Sequence, residues 1–253
     1  MEKTFVGSLG IPTAPFAAVD GPAELTAAIE RIGRPAVLKT RRYGYDGKGQ
    51  ATIKNGTDVQ TVWREVGGQP CILEAFVPFE REVSVVAARG HDGAVECFDV
   101  TENEHRDHIL KYSRVPAAIP DALAAQARAM AGTIATALDY IGVLAVEMFV
   151  VSGANGPTLL VNEIAPRVHN SGHWTLDGAS ISQFEQHIRA VAGWPLGKPI
   201  RHGTVTMTNL IGDDILDYER WLTVPGVTVH LYGKGAPRPG RKMGHVTEVK
   251  GRD

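Results

Sequence analysis

With 253 residues the chain is long enough for one large domain or two. Its 43% hydrophobic and 21% charged content exclude a disordered chain, and a formal charge of -2 gives no global footprint for nucleic acid or a membrane surface, so any anion site must be local. MEKTFVGSLG at the start lacks the apolar core of a leader, VLAVEMFVV is broken by Glu147, and Cys71 and Cys97 lack metal-ligand spacing, which together point to a cytoplasmic protein with reduced thiols.

In chain order, Asp20-Gly21-Pro22 opens a helix over AELTAAIERIG that stops at Gly33. AVLKT and QATIK are short β-branched strands flanking the glycine-rich RRYGYDGKGQ, and Thr57 or Asp58 caps a helix over DVQTVWREV. CILEAFV, EVSVVAAR and AVECFDV read as further strands. From Asp121 a longer helix carries Leu123, Ala127, Met130, Ile134, Leu138 and Ile141 on one face. VLAVEMFVV and TLLVNEIA form a hairpin about SGANGP, and a last helix runs from about Ser182 to Gly193. Hairpins alternating with helices imply an α+β fold with mostly antiparallel sheet. Gly- and Pro-rich WPLGKPIRHGTV places a boundary near residues 194–202, before a small β-rich unit that leans on the main body.

Chemistry concentrates in five places. The glycine loop joins two strands rather than a strand and a helix, which excludes a dinucleotide fingerprint or a Walker A loop. It is either a hairpin whose amides approach an anion, with Lys39 adding a charge, or a mobile surface turn. Symmetric pairing about Asn155 sets Glu147 opposite Glu163, which calls for a divalent cation; a register slipped by one, or arginine partners, removes that need. Glu74-Ala75-Phe76-Val77 offers backbone groups beside an apolar lining, as a purine requires, with Glu82 for ribose hydroxyls, or else is a plain edge strand. Arg167, His169, Asn170 and His173 crowd APRVHNSGHWT as a small-anion site. Finally, Lys234, Arg238, Arg241, Lys242 and His245 share a Gly/Pro-stiffened segment, a phosphate monoester site or a solvated basic turn.

KTRRYGYDGKGQ, ILEAFVPFEREVSV, ENEHRDHIL, VEMF, VNEIAPRVHNSGHWT and YGKGAPRPGRKMGH, in this order, resemble the ATP-grasp family of 5-(carboxyamino)imidazole ribonucleotide synthetases of purine biosynthesis. The resemblance implies an ATP-grasp fold over residues 1–193, with a glycine-rich lid subdomain at about 35–110 and a metal-binding subdomain at about 111–193, then a β-rich C-terminal domain over 203–253. It implies that Lys39, Gly44, Tyr45, Asp46, Gly47, Lys48, Gly49, Gln50, Glu74, Ala75, Phe76, Val77, Glu82, His105 and Asn162 contact ATP. Glu147 and Glu163 would hold Mg²⁺ or Mn²⁺, with Glu163 also in the ATP set. Arg167 and His169 would be catalytic; with Asn170 they would position bicarbonate or substrate, and Lys234, Arg241 and Lys242 would lie near the ribonucleotide phosphate. The implied reaction is ATP-dependent carboxylation of aminoimidazole ribonucleotide by bicarbonate through carboxyphosphate. Family members form homodimers and carry an N-terminal domain ahead of the segment at which this chain begins. A nucleotide-binding module needing that domain, or a ligase with another acceptor, are the competing readings.

Overall fold

The computed structural model describes residues 2–42, 48–154 and 156–251. A short helix α1 (Glu2–Ser8) leads into a four-stranded sheet formed by β1 (Phe16–Val19), β2 (Ala36–Thr40), β3 (Gln50–Ile53) and β4 (Cys71–Ala75) in the order β1-β4-β2-β3. Helices α2 (Pro22–Ile32) and α3 (Val59–Glu65) cover one face, where Leu25, Ile29 and Val62 pack on Val19, Leu38, Ile53 and Leu73. Asp58 caps α3 by accepting the Thr61 amide at 2.9 Å. The glycine loop joins β2 to β3, and Gly49 must be glycine: its φ is +73° and a Cβ would sit 2.6 Å from Thr40 Oγ1.

The second sheet holds β5 (Arg81–Arg89), β6 (Val95–Cys97), β7 (Thr101–Arg106), β8 (Ile109–Val115), β9 (Gly142–Val151), β10 (Thr158–Ala165), β11 (Thr204–Ile211), β12 (Val227–Leu231) and β13 (Lys242–Lys250). Its order is β10-β9-β5-β7-β8-β11-β13-β12 with β6 on β5, and every ladder between these strands is antiparallel. Helix α4 (Asp121–Ala137) lays Leu123, Ala127, Met130 and Ile134 on Val83, Val85, Leu144 and Val146. Burying such side chains stabilises by roughly 1.5–3 kcal/mol each. The opposite face divides in two: Val86, Val143 and Ala145 pack on Trp174 and Ile181, near α5 (Thr175–Gly178) and α6 (Gln183–Val191), while Glu147 and Phe149 further along β9 look into a cleft. No helix among the described residues is long and apolar enough to cross a membrane.

Two expectations are corrected and a third is made specific. The smaller sheet gathers residues 16–75, and strands from Arg81 onward belong to the larger one, so the lid boundary at about 35–110 cuts across both sheets. The C-terminal strands meet the body by continuing its sheet, since β11 pairs with β8. Helix α4 stops at Ala137, short of Leu138 and Ile141, where Asp139 turns left-handed at φ 48°. Strands β1, β7 and β8 escape a periodicity reading; TENEHR and ILKYSRV are strands held by two paired neighbours rather than by an apolar pattern.

Candidate functional site

A cavity of about 1130 Å³ lies between the two sheets. Its walls include Lys39, Lys48, Gly49 and Gln50 from the hairpin, Glu74 and Ala75 at the end of β4 with Phe76 and Val77 just after it, and Glu82 and His105 from β5 and β7. Glu147, Asn162, Glu163, Arg167, His169, Asn170 and Lys242 complete them. Gly44, Tyr45, Asp46 and Gly47 lie outside the described residues.

The two glutamates meet through an irregularity. From Thr158↔Val151 to Val161↔Met148 the hairpin runs in one register; the ladder then shifts between Val161 and Glu163, and Glu163 pairs with Glu147. Asn162 is the extra residue of this bulge. Leu159 and Val161 point into the apolar core under α4, and in an unbroken strand Glu163 would follow them; the bulge turns it to the opposite face instead. The carboxylates therefore stand side by side in the cleft. Burial first, and the neighbouring Glu163 second, hold the Glu147 carboxyl above the usual carboxylate range. A divalent cation suits this pair, because it supplies the positive charge that the crowding lacks.

A buried polar chain sets His169 against this pair. Ser113 Oγ donates to Asn103 Oδ1 (2.9 Å), Asn103 Nδ2 to Ser84 Oγ (2.9 Å), Ser84 Oγ to Ser171 Oγ (2.8 Å), and Ser171 Oγ lies 2.9 Å from His169 Nδ1. The Ser171 amide also points at Nδ1, which is therefore the acceptor, so the proton sits on Nε2, which lies 3.2 Å from Glu147 Oε1. Burial, then the charges of Arg167 and Lys242, push His169 down to about 3. The imidazole beside Glu147 is thus neutral, and the contact is not an ion pair. Ser84, Asn103, Ser113 and Ser171 went unread in the sequence, since small polar residues on strands carry no local signal.

Lys39 Nζ donates to Glu74 Oε2 at 2.9 Å and to Asn162 Oδ1 at 3.3 Å. Glu74 is nearly buried and also meets Lys3 Nζ at 3.4 Å, while Lys3 donates to the Asn162 carbonyl at 2.9 Å. The Glu74 side chain therefore serves as the counter-ion that aims Lys39. Lys3, from α1, is a participant that nothing in the charged segment MEKTFVGS reveals. The expected row of open amides after β4 is shorter than predicted: Ala75 donates to the Pro15 carbonyl (2.8 Å) and Phe76 to the Pro35 carbonyl (3.2 Å), whereas the Val77 amide is unengaged among the described residues. Glu82 contacts His105 Nδ1, and although burial lowers the imidazole's basicity, this hydrogen bond and charge outweigh it and leave His105 raised.

The basic C-terminal set does not converge. Lys242, at the start of β13, reaches the cavity, but Lys234 donates to the Lys242 carbonyl (2.8 Å) and Arg241 to the Lys234 carbonyl (3.2 Å), so neither lines it. The segment folds back and its own carbonyls compete for the charges.

Two sheets closing on a lysine, a glycine hairpin and paired carboxylates define an ATP-grasp protein, and the family model described as ATP-grasp domain matches residues 4–184. A second, described as phosphoribosylaminoimidazole carboxylase C-terminal domain, matches residues 205–252. The chain belongs to the N5-carboxyaminoimidazole ribonucleotide synthase family: it is 51% identical over 253 residues to the Brucella melitensis member, covering 99% of this chain and 69% of that protein. The Pseudomonas aeruginosa member is 49% identical, over 97% of this chain and 66% of its own. A crystal structure of an Aspergillus clavatus N5-carboxyaminoimidazole synthase with ADP and 5-aminoimidazole ribonucleotide superposes with a TM-score of 0.89 at 32% identity, over 99% of this chain and 67% of that one. The chain spans about two thirds of the length of these relatives.

Proposed function

We propose that this chain carries out the ATP-dependent carboxylation of 5-aminoimidazole ribonucleotide by bicarbonate, forming N5-carboxyaminoimidazole ribonucleotide, ADP and phosphate. The observation that carries the reading is the Glu147/Glu163 pair facing Lys39 and the His169 loop across one cavity. Its substrates follow from the family and from the names of its relatives.

In this reading Lys39, aimed by Glu74 and Asn162, takes phosphate charge, and the amides near Lys48, Gly49 and Gln50 close over the same group. The free Val77 amide reads the purine edge, and Glu82, oriented by His105, accepts from the ribose. Glu147 and Glu163 hold Mg²⁺ or Mn²⁺, which when bound neutralises charge on the transferring phosphoryl group. A bicarbonate oxygen attacks the γ-phosphorus and ADP leaves. The ribonucleotide's exocyclic amine then attacks the activated carboxyl carbon, phosphate leaves, and the amine proton passes to solvent. Arg167, His169 and Asn170 position these reactants, and Lys242 faces the ribonucleotide end. Phosphoryl transfer of this kind is catalysed by positioning and charge stabilisation, without a covalent nucleophile.

The test is ADP release from Mg-ATP with each reactant omitted in turn. Release that requires both bicarbonate and aminoimidazole ribonucleotide is expected; release indifferent to the ribonucleotide would overturn the assignment.

A further inference from the structure

Outside the cavity, Asp177 on α5, His230 on β12 and His245 on β13 bring one donor atom each within 4.8 Å of one another. None of the three lines the cavity described above. His230 Nε2 is 2.9 Å from Asp177 Oδ2, and the two imidazoles stack with centroids 4.5 Å apart.

The hydrogen bonds around them decide which His245 nitrogen carries the proton. Asn209 Nδ2 donates to the Leu110 carbonyl (2.9 Å), which fixes that amide's orientation. The same group donates to Asn170 Oδ1 (2.7 Å), which in turn fixes Asn170 with its Nδ2 toward Asn209 Oδ1 (3.0 Å) and His173 Nδ1 (3.3 Å). His173 Nδ1 is thus an acceptor, so the Tyr232 hydroxyl, 2.9 Å away, donates to it. With its only proton spent there, Tyr232 Oη accepts from His245 Nδ1 at 2.7 Å. That leaves His245 Nε2 as a bare lone pair, and this atom is buried without a hydrogen-bond partner among the described residues, on a residue only 1% exposed. A buried acceptor left unsatisfied costs about 1–3 kcal/mol, so this lone pair is a place for a water or a cation to bind, and the neighbouring Asp177 carboxylate favours the cation.

We propose that Asp177, His230 and His245 bind a transition-metal cation, zinc above all. Two imidazole nitrogens and one carboxylate oxygen are a borderline-soft set that suits zinc and not magnesium; to ligate, the half-exposed His230 turns out of its stack on His245 and gives up the Nε2 proton it donates to Asp177. Tyr232 is the outer partner that ligating imidazoles characteristically have: its acceptance of the His245 Nδ1 proton fixes the ligating tautomer. His230 keeps 30% of its side-chain surface accessible, which gives an ion a way in. The site joins α5 to the C-terminal strands, and through Tyr232, His173 and Asn170 it braces the wall of the cavity. Its role is structural, clamping the C-terminal strands to the rest of the protein.

The experiment is zinc uptake by the chelator-stripped full chain without nucleotide, read by elemental analysis after gel filtration, with Co²⁺ as a spectroscopic probe. Expected are stoichiometric zinc, tetrahedral cobalt bands in the visible, and a higher thermal midpoint. Tyr232→Phe should weaken affinity by about 10–100-fold, and His230→Gln and Asp177→Asn by at least as much. The half-buried His230 is chosen over His245 so that folding is preserved. The Glu147→Gln/Glu163→Gln double variant should bind zinc as the parent does. No retention by the parent, retention unaffected by His230→Gln and Asp177→Asn, or loss only in the double variant would each overturn the proposal. None of these outcomes bears on carboxylation.

Discussion

Glu163→Gln should stabilise the metal-free protein while abolishing turnover. Cross-strand partners on one face lie about 5 Å apart, where two unit charges repel by about 3 kcal/mol at an effective dielectric of about 20. Glu163 is exposed and solvent screens it, which reduces the gain to about 1–2 kcal/mol. For a chain of this size that is a rise of roughly 2–8 °C in thermal midpoint. The assay is differential scanning in EDTA at pH 8, above the value of about 7 to which Glu147 is raised. The sign of the pH dependence follows from Glu147, whose carboxyl is raised from 4.5, chiefly by burial and then by Glu163. Between 4.5 and that raised value the native state binds the extra proton, so the parent loses stability as pH rises through this window, and the variant should lose less. Saturating Mg²⁺ should raise the parent's midpoint and leave the variant's nearly unchanged. A lower midpoint for Glu163→Gln in EDTA would refute the opposed-carboxylate argument, because it would mean that the side chain is held by favourable contacts.

Glu74→Gln should cost about 3–5 kcal/mol in urea unfolding, since it strands the buried Lys3 ammonium, and adding Lys3→Met should recover much of that loss; an effect below about 1 kcal/mol would remove Glu74 from its counter-ion role. Ser84→Ala interrupts the chain from Ser113 to His169 and leaves the Asn103 amide short of an acceptor, so about 1–3 kcal/mol of stability should go together with a fall in kcat, whereas unchanged kcat would separate that chain from His169. Cys97, pushed up to about 11 by burial, should resist thiol reagents at pH 8 until the protein is denatured; rapid native labelling would contradict its packing against α4.

The candidate site residues were legible because they cluster in short runs with local signatures. Glycines between two β-branched strands specify a hairpin, and Arg167, His169 and Asn170 sit within four positions of each other. The arithmetic that paired Glu147 with Glu163 reached the right partners, although the hairpin above them runs one residue out of that register and only the bulge at Asn162 restores it. A bulge has no periodicity to read; it is set by how β10 packs on the core and against β9. The same limit hid Lys3, whose charge is tolerable in the interior only because Glu74 arrives there from another strand. It also hid that Lys234 and Arg241 donate to nearby carbonyls.

Sequence by itself determined the α+β class, the pairing of the two strands that flank the glycine-rich stretch and the identity of the paired acids, because backbone preferences and side-chain alternation act over a few neighbours. Tertiary structure alone decided which face Glu163 takes, which imidazole nitrogen of His169 and His245 carries the proton, and that β11 extends the central sheet. Those outcomes depend on hydrogen bonds between residues up to about a hundred positions apart, and a free energy shared across such distances leaves no trace in any single window of the chain.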